Sequence, residues 1–211
     1  MKVEMGESIV YSWLRHTVGC QVVQLNWKSS AEWPESIKPA LLQSIMDKAK
    51  SKLGAPFKKT ATISQLLRQA EIDGVGININ KKEIHAADVA FHEAGLSYGS
   101  KEETIRNIIK KMMRTTIALE VYFPKSWKKN IYFISPKINP AVLDALHKAV
   151  AEIEAFLIRV GLKTKVHLIA NRDFNSRILR NLKSVAQKHS DTSELFLRSL
   201  QLTNMFPDIE K

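Results

Sequence analysis

Cysteine is almost absent from this chain, since Cys20 is the only one among 211 residues. A single cysteine cannot form an internal disulfide, and no cysteine cluster offers a zinc site. Both absences fit a reducing compartment. We expect Cys20 itself to be a small buried hydrophobic residue.

Long apolar runs are also lacking. No segment approaches the roughly 20 consecutive apolar residues that a membrane-spanning helix needs, and the first residues, MKVEMGES, lack the apolar stretch of a secretory signal peptide. We therefore expect no membrane partner and a cytoplasmic location.

Acidic residues are outnumbered. The chain has 21 Asp and Glu against 32 Lys and Arg, which gives a formal net charge of +11. Such a balance favours a polyanionic partner, nucleic acid before an anionic membrane surface. With 45% hydrophobic residues, the chain can bury one substantial core, so we expect residues 1–211 to form a single domain.

Hydrophobic periodicity predicts an α/β protein. The predicted strands cover 20–27, 71–78, 84–92, 130–135 and 165–171. The predicted helices cover 6–17, 39–53, 63–69, 101–122, 140–160 and 173–187, with one more after residue 191. We interpret 28–60 as a helical insertion and 171–211 as a C-terminal helical extension. The resulting order, α-β-(insertion)-β-β-α-β followed by α-β-α-α, predicts a mixed sheet with helices on its faces.

Two aspartates lie on the strands of the predicted hairpin. Asp73 is in the first strand and Asp88 is in the second, across a short turn, so the two carboxylates can lie side by side. Adjacent carboxylates repel each other unless a cation lies between them. An unpaired Asp88 buried between Ala87 and Val89 would cost several kcal/mol, which favours a functional role.

These residues carry a family resemblance. Residues 70–76 (AEIDGVG) are similar to the strand that bears the first aspartate of the PD-(D/E)XK nuclease superfamily. Residues 87–91 (ADVAF) stand in the place of its (D/E)XK strand, and Glu7 stands where members often add an acidic residue from the first helix. The resemblance covers roughly residues 5–135.

The resemblance implies a restriction-endonuclease-like αβββαβ core and a metal-dependent endonuclease of the restriction or genome-defence kind. It also implies that Glu7, Asp73 and Asp88 hold Mg²⁺, with Mn²⁺ as a substitute. DNA is the expected substrate on the strength of the resemblance alone. Two alternatives remain open: an RNA-processing nuclease, and a nuclease-like DNA-binding module that has lost catalysis.

The sequence departs from the family pattern at one position. The lysine expected two residues after Asp88 is replaced by Ala90. Because side chains alternate along a strand, His92 would share a face with Asp88 and could act as a base. Other candidates for the missing catalytic group are Lys110 and Lys111 in the following helix, and Lys28 at the end of the first strand.

Cationic clusters indicate where nucleic acid could bind. Lys58, Lys59, Lys81 and Lys82 flank the proposed site in sequence. Another cluster recurs every three residues on one predicted helix and consists of Arg177, Arg180 and Lys183. Phosphate contacts of this kind would provide affinity and register.

The last predicted helix is apolar on more than one stripe. Asp191 and Glu194 have the spacing of a capping box at its start. Its apolar residues, among them Leu197 and Leu200, must be covered. They either pack on their own domain or form a homodimer interface.

Overall fold

The computed structural model describes residues 4–30, 33, 39–54, 62–68, 70–189 and 192–206. Its strands are β1 (Val22–Lys28), β2 (Glu71–Asn78), β3 (Glu83–Val89), β4 (Lys128–Ser135) and β5 (Lys165–Ala170). Its helices are α1 (Met5–Ser12), α2 (Pro39–Leu53), α3 (Ile63–Arg68), α4 (Lys101–Tyr122), α5 (Pro140–Arg159), α6 (Asn171–Phe174), α7 (Arg180–Lys188) and α8 (Leu195–Met205). Two wider π-helical segments, Trp13–Val18 and Asn175–Leu179, continue α1 and join α6 to α7.

The five strands form one mixed sheet in the order β1-β2-β3-β4-β5. The first three strands are antiparallel neighbours, whereas β4 runs parallel to β3 and β5 runs parallel to β4. Parallel neighbours require long crossover connections, and α4 and α5 provide them. The predicted α/β class, with a mixed sheet and flanking helices, is confirmed.

Helices cover both faces of the sheet. On one face, α2, α3, α4 and α5 pack around a core that includes Ile84, Ile117 and Phe133. On the other face, α1, α6, α7 and α8 pack around Val10 and Leu14. We call these the α4 side and the α1 side of the sheet.

Several predicted boundaries shift. The predicted strand 84–92 is wrong at its end, because β3 ends at Val89 and the chain turns at Gly95, whose N–H donates to the carbonyl of His92. The predicted helix 6–17 divides into α1 and a π-helical segment that Gly19 ends in the left-handed conformation (φ 79°). The predicted basic helix 173–187 divides in a similar way into α6, a π-helical segment and α7.

The terminal helix α8 packs on its own domain. Phe196 and Leu197 are buried against α1 and α7, and the Phe196 N–H donates to the Ser8 hydroxyl at 2.9 Å. The helix begins at Leu195 with Glu194 before it, later than the predicted capping box, whose Asp191 lies outside the described residues. The homodimer remains a prediction.

No helix in the described part of the chain is long and apolar enough to cross a membrane.

Candidate metal and nucleic-acid site

The open end of the β2–β3 hairpin brings Asp73 and Asp88 together. Gly74 pairs with Ala87 in the sheet register, so one step further outward Asp73 and Asp88 are cross-strand neighbours. The Asp73 carboxylate also accepts a 2.7 Å hydrogen bond from the backbone N–H of Val89. The hairpin predicted from the sequence therefore produces the pair of carboxylates that was expected from it.

Asp88 is buried on the α4 side of the sheet. Only 1% of the residue is exposed, and its Oδ2 accepts a 2.8 Å hydrogen bond from the hydroxyl of Thr115 in α4. Its other oxygen, Oδ1, is buried and receives no hydrogen bond from any residue that the structure describes. Burial raises the pKa of Asp88, and the charges of Lys111 and Arg114 with the Thr115 hydrogen bond act against that rise.

The charges of two other carboxylates, Asp88 and Glu7, act on Asp73. Burial raises the pKa of Asp73 to about 6, and the negative charges of Asp88 and Glu7 add to the rise. The hydrogen bond from Val89 and the charge of Lys111 lower it. Like charges disfavour the ionised form, so burial and the neighbouring carboxylates both favour protonated Asp73.

Glu7 reaches the site from the first turn of α1. Its Oε2 accepts hydrogen bonds from the Glu4 N–H at 3.3 Å and from the Asn26 side-chain amide at 3.2 Å. The helix can approach β3 because residue 6 is glycine: a Cβ there would lie 3.2 Å from the side chains of Val89 and Phe91. A side chain at position 6 would crowd Val89 and Phe91, which would have to shift by a few tenths of an ångström.

Lys111 is the predicted lysine with an electrostatic effect on the two aspartates. Its charge acts on both Asp73 and Asp88, and it is half-buried, whereas Lys110 is exposed. Lys28 forms a 3.1 Å ion pair with Glu71 and is exposed. Ala90, where the family lysine would stand, is 3% exposed and belongs to the α4-side core.

His92 does not share a strand face with Asp88. Because β3 ends at Val89, the alternation on which that expectation rested stops before residue 92. His92 is exposed, and its ring stands edge-on to that of Tyr98 with centroids 6.1 Å apart.

The predicted cationic residues occupy different parts of the molecule. Lys81 and Lys82 lie in the closing turn of the hairpin, about six strand residues or roughly 20 Å from the carboxylates at 3.3 Å per residue. A second set is exposed on the α1 side and comprises Arg177, Arg180 and Lys183. Lys58 and Lys59 lie outside the described residues.

Sequence reasoning missed Asn26 and Thr115. Thr115 and Thr116 interrupt the apolar stripe of α4, and that pair of hydroxyls was the available signal for a buried acceptor. Asn26 gave no local signal, because its partner Glu7 belongs to another element.

Three-ligand metal sites are absent from the part of the chain that the structure describes. No group of three or more His, Cys, Asp or Glu side chains lies close enough to hold a metal ion there. The predicted ligand set Glu7, Asp73 and Asp88 therefore does not form one three-ligand group, and the cross-strand pair Asp73 and Asp88 remains the candidate for binding a metal ion. The sequence matches none of the protein-family models, curated proteins or solved structures with which it was compared.

Proposed function

We propose that this protein is a Mg²⁺-dependent endonuclease of the PD-(D/E)XK type that hydrolyses phosphodiester bonds in DNA. One observation carries the proposal: two carboxylates occupy neighbouring strand positions, and one of them is fully buried with an oxygen that no described group satisfies. A buried, unsatisfied carboxylate oxygen is costly. A cation shared with Asp73 would remove that cost.

The order of the elements supports the family assignment. In chain order, α1, β1, β2, β3, α4 and β4 are a helix, three antiparallel strands, a helix and a parallel fourth strand, with α2 and α3 inserted between β1 and β2. This is the αβββαβ order that the resemblance implies. Asp73 and Asp88 lie on the strands where the family places its acids.

The residues present fit magnesium. Mg²⁺ prefers oxygen ligands, keeps several of its waters and is commonly bound through one or two carboxylates, so Asp73 and Asp88 suffice without a third side chain. Bound there, Mg²⁺ or Mn²⁺ would supply an activated water and offset charge on the phosphate. Asp73 and Asp88 would bind the ion, and Glu7 would extend the negative field around it.

Lys111 would take the role left open by Ala90. Its ammonium group, whose charge acts from α4 on both aspartates, would offset the negative charge that develops on the phosphate oxygens in the transition state. An exposed neighbour, Lys110, provides a control on the same helix with the same charge.

The net charge of +11 supports a nucleic-acid substrate, because lysine and arginine contacts to phosphate supply most of nonspecific affinity. Two alternatives keep specific support. A DNA-binding module without catalysis is favoured by the buried Ala90. An RNA nuclease would use the same ion site, since DNA and RNA share the phosphodiester group.

Incubation of supercoiled plasmid and of a structured RNA with the purified protein, in Mg²⁺ and in EDTA, tests the proposal. We expect plasmid cleavage in Mg²⁺ alone, and loss of roughly 10²-fold or more in rate for Lys111→Ala with little change for Lys110→Ala. Cleavage of the RNA but not of the plasmid would show that the substrate is RNA and not DNA. DNA binding without cleavage in Mg²⁺ would favour the inactive module.

A further inference from the structure

We propose that Asn26 is a positioning residue that holds the Glu7 carboxylate beside Asp73, so that Glu7 contributes to cation binding through a defined oxygen. The inference rests on the proposed function, because it concerns the same ion site. It adds a residue that lies on β1, outside the hairpin and the two helices, α1 and α4, that carry the other groups.

The strand β1 changes face at Asn26. Val23 packs on the α1 side, yet Trp27, four positions later, packs on the α4 side. Strict alternation would put both side chains on the same face. Asn26 lies between them with φ 51°, in the left-handed region, which few residues other than glycine and asparagine adopt readily.

The neighbouring strand β2 has an irregularity at the same level, at Asp73. Leu25 pairs with Gly74 and Trp27 pairs with Ile72, so Asn26 lies opposite Asp73. In β2 the alternation also breaks there, because Ile72 and Val75 belong to the same core although they are three positions apart. The irregularity thus turns the Asn26 side chain toward α1 at the level of the carboxylates.

The hydrogen bonds of Glu7 then fix which oxygen stays available. Both the Asn26 amide and the Glu4 N–H donate to Oε2. Oε1 receives no hydrogen bond within the described part of the chain. With Oε2 occupied, Oε1 is the oxygen that can accept from a water of a cation at Asp73.

Asn26 could instead serve only the backbone. Glycine would adopt φ 51° equally well but has no side-chain amide. Alanine has no side-chain amide either, and it does not adopt this φ readily. The variants Asn26→Gly and Asn26→Ala therefore separate the two roles. Partners that orient metal ligands typically change metal affinity 10- to 100-fold when they are removed.

The test is a Mg²⁺ titration of the thermal midpoint, with the Mg²⁺ concentration for half-maximal cleavage measured in parallel. We expect Asn26→Gly to keep the midpoint of the wild type without Mg²⁺ and to need about tenfold more Mg²⁺ in both measurements. In a Glu7→Gln background, Asn26→Gly should have no further effect, because its action passes through Glu7.

Two results would overturn the inference alone. One is an unchanged Mg²⁺ requirement in Asn26→Gly while Asp88→Asn abolishes the Mg²⁺ response. The other is an equal increase in the Mg²⁺ requirement when Asn26→Gly is made in the wild type and in the Glu7→Gln background. A wild type that shows no Mg²⁺ response in either measurement would overturn the proposed function as well.

Discussion

Replacement of Asp73 by asparagine should stabilise the protein at neutral pH. The pKa of Asp73 rises from 3.8 to about 6 on folding, mainly because the carboxyl is buried and then because Asp88 repels its charge. The folded state therefore holds the proton more tightly than the unfolded state, and ionised Asp73 costs stability. This rise in the pKa of Asp73 corresponds to about 3 kcal/mol, because each tenfold change in proton affinity is worth 1.36 kcal/mol.

We expect Asp73→Asn to exceed the wild type by about 1 to 3 kcal/mol in the free energy of unfolding at pH 8, since partial exposure of Asp73 reduces the full value. Because the pKa of Asp73 is higher in the folded state, protonated Asp73 contributes its full stability below about pH 4, and that contribution is lost as the pH rises through 6. The difference between the proteins should therefore vanish near pH 4. Urea denaturation without divalent metal, at one-unit pH intervals, measures it.

Magnesium should reverse that order. A cation that binds only the folded wild type stabilises it by mass action, and protons compete with the cation for Asp73. The Mg²⁺-dependent increase in midpoint should thus grow as pH rises through about 6 and be small in Asp73→Asn. An Asp73→Asn protein that is less stable than the wild type at pH 8, by an amount independent of pH, would refute this reasoning.

Three further outcomes are expected. Thr115→Val removes the hydrogen bond to buried Asp88 and should lower the free energy of unfolding by about 1–3 kcal/mol in urea denaturation at pH 8. In an Asp88→Asn background the same substitution should cost less, and equal costs in the two backgrounds would argue against the contact. Leu197→Glu should unfold the protein because Leu197 is fully buried, and Leu202→Glu, 58% exposed, should leave circular dichroism unchanged; a dissociated dimer in Leu202→Glu by light scattering would support the homodimer. Arg177→Gln/Arg180→Gln should lower the salt slope of DNA binding by about two, with Lys81→Gln/Lys82→Gln as the charge-matched control; a reduced slope in the control alone would move the DNA to the hairpin turn.

The hairpin and its acids could be predicted because their signals are local. Strand β2 and helix α4 have the predicted bounds, because the signals that predict each element lie within its own segment of the sequence. Asp88 stood out as an aspartate inside an apolar strand, and the structure places it where it is buried. Its burial is what makes it informative.

The rest of the site depends on contacts between distant elements. Thr115 meets Asp88 only because α4 crosses beneath the hairpin, and Asn26 meets Glu7 only because β1 turns at a left-handed residue. His92 was misplaced because the end of β3 is set by the turn at Gly95, which alternation cannot reveal. Lys111 could be separated from Lys110 only once the rotation of α4 was known.

The most direct measurement is isothermal titration of Mg²⁺ into the wild type and into Asp88→Asn, paired with plasmid cleavage by the same preparations. Asp88→Asn keeps the size of the buried side chain and removes its charge. We expect the wild type to bind Mg²⁺ and nick or linearise plasmid, and the folded Asp88→Asn to do neither while it still binds DNA. Equal Mg²⁺ binding by the two proteins, or equal cleavage, would contradict the assignment of the ion site to Asp73 and Asp88.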